Sequence, residues 1–202
     1  MPRRSGVVAE GNAFFHVVNR GIDRMTIFPD SRFYEEFVRL LQQNLGAGAV
    51  RLHAFSLLPN HFHMLLSQRL PYAISEFMRN TCSSFAQNFN AKRGHTGHVF
   101  QDRYKPIPLA DPQSILRVSW YIHQNPVRAG LVEAPELWRY GSMRQYLGLV
   151  RSGVATLSGL LDLVGGMENY ERFMRTYDPS NPEQAKEFLM NPDGCVVPRP
   201  VI

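Results

Sequence analysis

Apolar positions along the chain change their period several times, and each change marks an element. The run FFHVVNR at 14–20 is dense in aromatic and β-branched residues and stops at Gly21, which predicts a strand. Apolar residues at 33, 37, 40, 41 and 45 then recur at helical spacing. With Asp30 or Ser31 as cap and Gly46 as stop, they predict an amphipathic helix over 30–46. VRLHAFSLL at 50–58 alternates, Pro59-Asn60 makes a turn, and HFHMLLS at 61–67 follows, so the three together predict a hairpin. A long helix is expected over 72–94, ending at Gly94. YKPIPLA at 104–110 reads as a strand that its prolines confine to a sheet edge. DPQSILRVSWYIHQ at 111–124 reads as a helix with Asp111 as cap and Pro112 in its first position.

The order of elements is strand, helix, strand, strand, helix, strand, then a further helix. The first six follow the split βαβ pattern, which predicts an α+β, ferredoxin-like antiparallel sheet with helices on one face. The seventh element is an added helix. Residues 1–150 are read as the main domain and 151–202 as a C-terminal helical extension and flexible tail. Within the extension, 157–177 holds one or two short helices, and the turn-rich segment 178–202 is expected to be poorly ordered.

Composition adds a direction to this outline. The 202 residues hold 22 Lys and Arg against 17 Asp and Glu, a net charge of +5, and only Lys92, Lys105 and Lys186 are lysines. Arginine matches phosphate oxygens with paired donors, so a polyanionic partner fits the surplus. No run reaches the length of apolar residues that a bilayer demands. The N-terminus carries arginines without the apolar core of a secretory signal. Two cysteines, Cys82 and Cys195, make no disulfide framework. These features predict a cytoplasmic protein with no membrane partner.

Two motifs carry chemistry. His61 and His63 flank Phe62 on a predicted strand, so both imidazoles share one face while Phe62 and Met64 turn to the other. Imidazole nitrogen is a ligand for divalent metals, and two such residues on one face are close enough to share an ion. On the seventh element, helical phase gathers Ile115, Val118 and Ile122 on a packing side. Arg117, Tyr121, Gln124 and Asn125 gather on another, joined by Arg128 if the helix continues. A tyrosine hydroxyl can act as a nucleophile toward a held phosphate, and an amide oxygen is a hard ligand. Pro126 is expected to push Asn125 out of helical geometry, which leaves Gln124 a rival third ligand.

The wording of four blocks goes further. HVVNRGIDRMTIF, LLPNHFHMLL, GHVFQDRYKPIPL and YIHQNPVRAGLV, in that order, resemble the single-tyrosine HUH transposases, and most closely the REP-associated tyrosine transposases. The resemblance runs from about residue 12 to 150. It implies that His61, His63 and Asn125 hold a divalent metal, Mg2+ or Mn2+. It also implies that Tyr121 attacks a phosphodiester of single-stranded or hairpin DNA and forms a 5′-phosphotyrosine. Arg20, Arg24, Arg103, Lys105, Arg117 and Arg128 are candidates for the DNA backbone, and His98 and Phe100 for stacking on an unpaired base. Two other classes compete: a domesticated hairpin-binding protein that does not cleave, and an RNA-binding ferredoxin-like module. An RNA-binding sheet would carry aromatics where this one carries His61 and His63. Monomer and homodimer are both compatible with the pattern.

Overall fold

The computed structural model describes residues 13–45 and 48–190. Gly46, assigned above as a helix stop, Cys195 and the last part of the tail lie outside them. Four strands form one sheet: β1 (Ala13–Arg20), β2 (Val50–Leu58), β3 (His61–Gln68) and β4 (Lys105–Leu109). The spatial order is β2-β3-β1-β4, with every neighbouring pair antiparallel. With α1 (Ser31–Leu45) after β1 and α2 (Ala73–Arg93) after β3, this is the ferredoxin-like arrangement.

Local chemistry explains the boundaries. A Cβ on Gly21 would stand 2.2 Å from the Met25 carbonyl oxygen, so only glycine lets the chain turn back at the end of β1. Gly94 ends α2 in the left-handed region that favours glycine, at φ 58°. Pro106 and Pro108 lack N–H groups, and among the described residues β4 is an edge strand paired only with β1, so their missing donors break no ladder. Asp111 caps α3 (Pro112–Arg128) by accepting from the Ser114 backbone N–H at 2.8 Å.

Strand alternation fills both faces of the sheet. Phe15, Val17, Phe55, Leu57, Phe62 and Met64 pack under α1 and α2 with Phe37 and Phe85. Phe14, Ala54 and Leu65 point to the opposite face and pack under α3. Here α4 (Met143–Tyr146), α5 (Ser158–Val164) and α6 (Met167–Thr176) complete the second core through Tyr146, Leu160, Tyr170 and Phe173. Where one or two short helices were expected within 157–177, there are two, α5 and α6. A 3-10 segment, Pro182–Phe188, follows, and Ala185 and Leu189 are buried in the same core. The extension therefore covers the sheet face that the two crossover helices leave open. Its docking uses backbone as well: the Thr156 N–H donates to the Leu52 carbonyl at 2.7 Å.

Candidate functional site

The site lies on the α3 face of the sheet. His61 and His63 leave β3 on that face, their ring centroids 5.1 Å apart. In register, Val18 lies opposite both His63 and Lys105, and Arg20 lies opposite His61. Directly opposed residues share a face, so Arg20 and Lys105 project on the histidine side. From α3, the Tyr121 ring meets His63 edge-on, with centroids 5.2 Å apart. The Arg128 guanidinium sits over the Tyr121 ring, 5.2 Å from its centroid.

Asn125 corrects one expectation. Pro126 does not displace it: α3 runs through Pro126 to Arg128, and both Asn125 and Pro126 are buried. A proline in the last turn removes a single helical donor, while burial of the turn holds its neighbour in helical geometry. The Ala129 N–H still donates to the Asn125 carbonyl at 2.9 Å. Asn125 thereby keeps its place one turn beyond Tyr121 and stands within hydrogen-bonding reach of His61.

A third histidine, which the sequence reading did not single out, completes the cluster. His16 on β1 places Nε2 3.0 Å from His63 Nδ1. Its ring stacks on His63 at 26° and meets Tyr121 edge-on, with centroids 6.0 Å apart. The parity of FFHVVNR puts His16 on the face of Val18 and Arg20, but only the β1–β3 register brings it to His63.

Electrostatics keep these rings neutral. Burial lowers the His63 pKa to about 3, helped by His16 and His61, and burial alone lowers His16 to about 4. His61 is also lowered, mainly by burial; the Asn125 contact opposes this and Arg20 reinforces it. Neutral imidazole is the form that binds metal. His61 Nδ1 donates to Asn60 Oδ1 at 2.6 Å, which leaves its Nε2 lone pair available. Two neutral imidazoles and one amide fit a catalytic Mg2+ or Mn2+ better than structural zinc, which favours four Cys or His ligands. Among the described residues, no group of three His, Cys, Asp or Glu is placed to share an ion. Asn125 is the amide placed beside the histidine pair.

The remaining basic candidates divide. Arg20 donates Nε–H to Gln101 Oε1 at 2.7 Å at the rim of the site. Arg24 lies in the turn after β1, where its carbonyl accepts from Asn60 Nδ2 at 3.3 Å. Arg117 donates to Ser114 Oγ at 3.1 Å and acts electrostatically on Tyr177 and Glu183 of the extension. Arg103 lines a groove of about 1120 Å³ between α2 and the 100–106 segment, together with Tyr72, Arg79, Phe100 and Tyr104. Phe100 therefore lines a cavity, while its ring also reaches Phe62 and Phe85 of the core.

The family described as Transposase IS200 like matches residues 10–125. The chain belongs to the IS200-like transposase family. As a family member it is a DNA transposase. Among solved structures it is similar to "Structure of the REP associates tyrosine transposase bound to a REP hairpin", at 17% identity and TM-score 0.59. That likeness covers 82% of this chain and 97% of the other, and it supports the fold. A Deinococcus radiodurans R1 protein classed with the transposases aligns at 15% identity and TM-score 0.41, over 74% of this chain and 97% of the other. Curated protein sequences gave no match. Among the described residues of this transposase, no helix is long and apolar enough to cross a membrane.

Proposed function

We propose that this transposase cleaves and rejoins single-stranded DNA beside palindromic hairpins, with Tyr121 as nucleophile and His61, His63 and Asn125 as the metal ligands. The observation that carries the reading is the Tyr121 ring lying 5.2 Å from His63, on the face that also holds His61 and Asn125. The solved relative carries a REP hairpin, which supports hairpin DNA as the substrate class here.

A phenol titrates near pH 10, so an unassisted hydroxyl is a weak nucleophile at neutral pH. Bound Mg2+ or Mn2+ would supply Lewis acidity at a non-bridging phosphate oxygen. The protein contributes position. The stacked histidines hold the edge of the Tyr121 ring, and tethering converts attack into an effectively intramolecular event. Arg128 over the ring, with Arg20 and Lys105 on the same sheet face, gives the phosphates a basic rim. The Tyr121 oxygen bonds to phosphorus as the bond from phosphorus to the 3′-oxygen breaks. The 3′-oxygen leaves as a hydroxyl, and the 5′-phosphate stays on tyrosine. A second 3′-hydroxyl reverses the exchange, restoring the phosphodiester and the phenol without an external energy source.

The test is incubation with hairpin single-stranded DNA and Mn2+, read as a denaturation-stable protein–DNA adduct. Wild type forms the adduct; Tyr121→Phe loses it and keeps hairpin affinity, because only a hydroxyl is removed. Arg103→Ala retains the adduct but weakens binding, with a salt slope smaller by about one. No adduct from wild type would identify a non-cleaving hairpin binder. An adduct from Tyr121→Phe would place the nucleophile on another tyrosine.

A further inference from the structure

We propose that His16 is a positioning residue of this site: it accepts the Nδ1 proton of His63 and thereby turns the His63 Nε2 lone pair toward His61 and Asn125. The inference rests on the metal reading above and assigns a role to a side chain outside the ligand set.

Three observations carry it. The contact is a direct one, 3.0 Å between His16 Nε2 and His63 Nδ1. The rings are stacked at 26° with centroids 5.2 Å apart, so the stacking holds the ring orientation in which the two nitrogens meet. His61 shows the same device with a different partner, its Nδ1 held by Asn60 Oδ1 at 2.6 Å. Both histidines of the motif are thus tied at Nδ1, which leaves Nε2 of each as the nitrogen for a ligand. A ring nitrogen bonded outside the metal shell fixes which nitrogen coordinates.

The direction of the proton follows from the tautomers. A neutral imidazole has one donor nitrogen and one acceptor. The two nitrogens lie 3.0 Å apart, so one of them carries the proton between them and the other accepts it. If His16 donated, His63 would carry its own proton on Nε2 and could not coordinate. If His63 donates, His16 supplies the Nε2 acceptor and His63 Nε2 keeps its lone pair. Packing alone would not require this, since an aliphatic side chain fills the same wall beside Tyr121. What an aliphatic residue lacks is the acceptor.

Two variants separate acceptor from volume. His16→Leu fills the space without an acceptor; His16→Gln places an amide oxygen near the former Nε2. Wild-type His63 is expected to show the Nδ1–H tautomer in metal-free 15N spectra of the ring. His16→Leu is expected to shift His63 toward the Nε2–H tautomer, and His16→Gln to retain the wild-type form. Titration with Mn2+ alone should show affinity reduced about 10–100-fold in His16→Leu, the range for lost outer-shell partners, with His16→Gln within a few-fold of wild type. Thermal unfolding of both variants checks that they are folded. An Nε2–H His63 in wild type, or unchanged His63 tautomer and Mn2+ affinity in folded His16→Leu, would overturn the inference. Equal losses in His16→Leu and His16→Gln would overturn the acceptor role. A wild-type protein with the expected tautomer that binds no Mn2+ would instead defeat the metal reading and leave the His16–His63 assignment standing.

Discussion

Asn125 and Gln124 are adjacent in the chain and unequal in the site. Asn125 is buried and reaches His61, whereas Gln124 is only half-buried. Asn125→Ala should therefore lower Mn2+ affinity about tenfold or more, at least the cost of losing an outer-shell partner, while Gln124→Ala changes it little. Calorimetric titration of the two variants decides; equal losses would mean that the amide ligand is misassigned. Single residues also mark the limit of sequence reading. His61 and His63 announce themselves because strand parity alone puts them on one face. His16 needs the β1–β3 register, and register depends on pairing between distant segments. The rivalry of Gln124 arose from a local rule about proline that burial of the last turn of α3 overrides.

Elements were the most legible scale. The seven main elements and their order follow from apolar period, caps and glycine stops, because those signals are local. The second core was not legible. It is stitched by buried polar groups that no period reveals. His123 Nε2 meets Ser142 Oγ at 2.7 Å, and His53 Nε2 meets Ser67 Oγ at 2.8 Å. The Tyr146 hydroxyl donates to the His53 carbonyl at 2.9 Å. His53 sits at a bulge in β2 under α5, and a Cβ on Gly159 would lie 2.5 Å from its ring. Gly159→Ala gains helix propensity of up to about 1 kcal/mol. Overpacking a ring held at both nitrogens costs about 1–3 kcal/mol, so the net effect should be a lower melting temperature. His53 also gives the extension a pH response. Burial lowers its pKa to about 4, from the usual 6.5. Below pH 6.5 the unfolded chain takes up the proton before the folded one, so stability falls as pH drops through that window. The full contribution is on the order of 3 kcal/mol. Burial lowers His16, His63 and His123 as well, so denaturant unfolding between pH 7 and 4.5 should show their summed slope, and His53→Gln should remove only its own share; identical slopes in the two proteins would refute the assignment.

Across the whole fold, both outer edges of the sheet are blunted among the described residues. The outer edge of β2 bonds to its own chain, with Leu57 donating to the Tyr140 carbonyl at 2.9 Å and Ser142 to the Phe55 carbonyl at 3.0 Å. The outer edge of β4 carries Pro106 and Pro108, which cannot donate to an added strand. Dimerisation by sheet extension thus has no open edge among the described residues. Within one chain, α3 brings the Tyr121 ring to 5.2 Å from the His63 ring of its own sheet, the two side chains on which the proposed chemistry depends. Catalysis is therefore expected in cis, and mixing inactive variants tests it. Tyr121→Phe keeps the histidine pair and lacks the nucleophile; His63→Ala keeps the nucleophile and breaks the pair. If Tyr121 serves its own chain, neither variant holds a complete site, and an equimolar mixture should form no adduct above that of the separate proteins. If tyrosines were exchanged between copies, each mixed dimer would rebuild one intact site of its two, and the mixture would regain up to about a quarter of the wild-type adduct with random pairing. Sedimentation at the same concentration supplies the matching readout, because a site complete in one chain needs no dimer. Recovered adduct together with a dimer boundary would overturn the cis assignment; a silent mixture of folded monomers would uphold it.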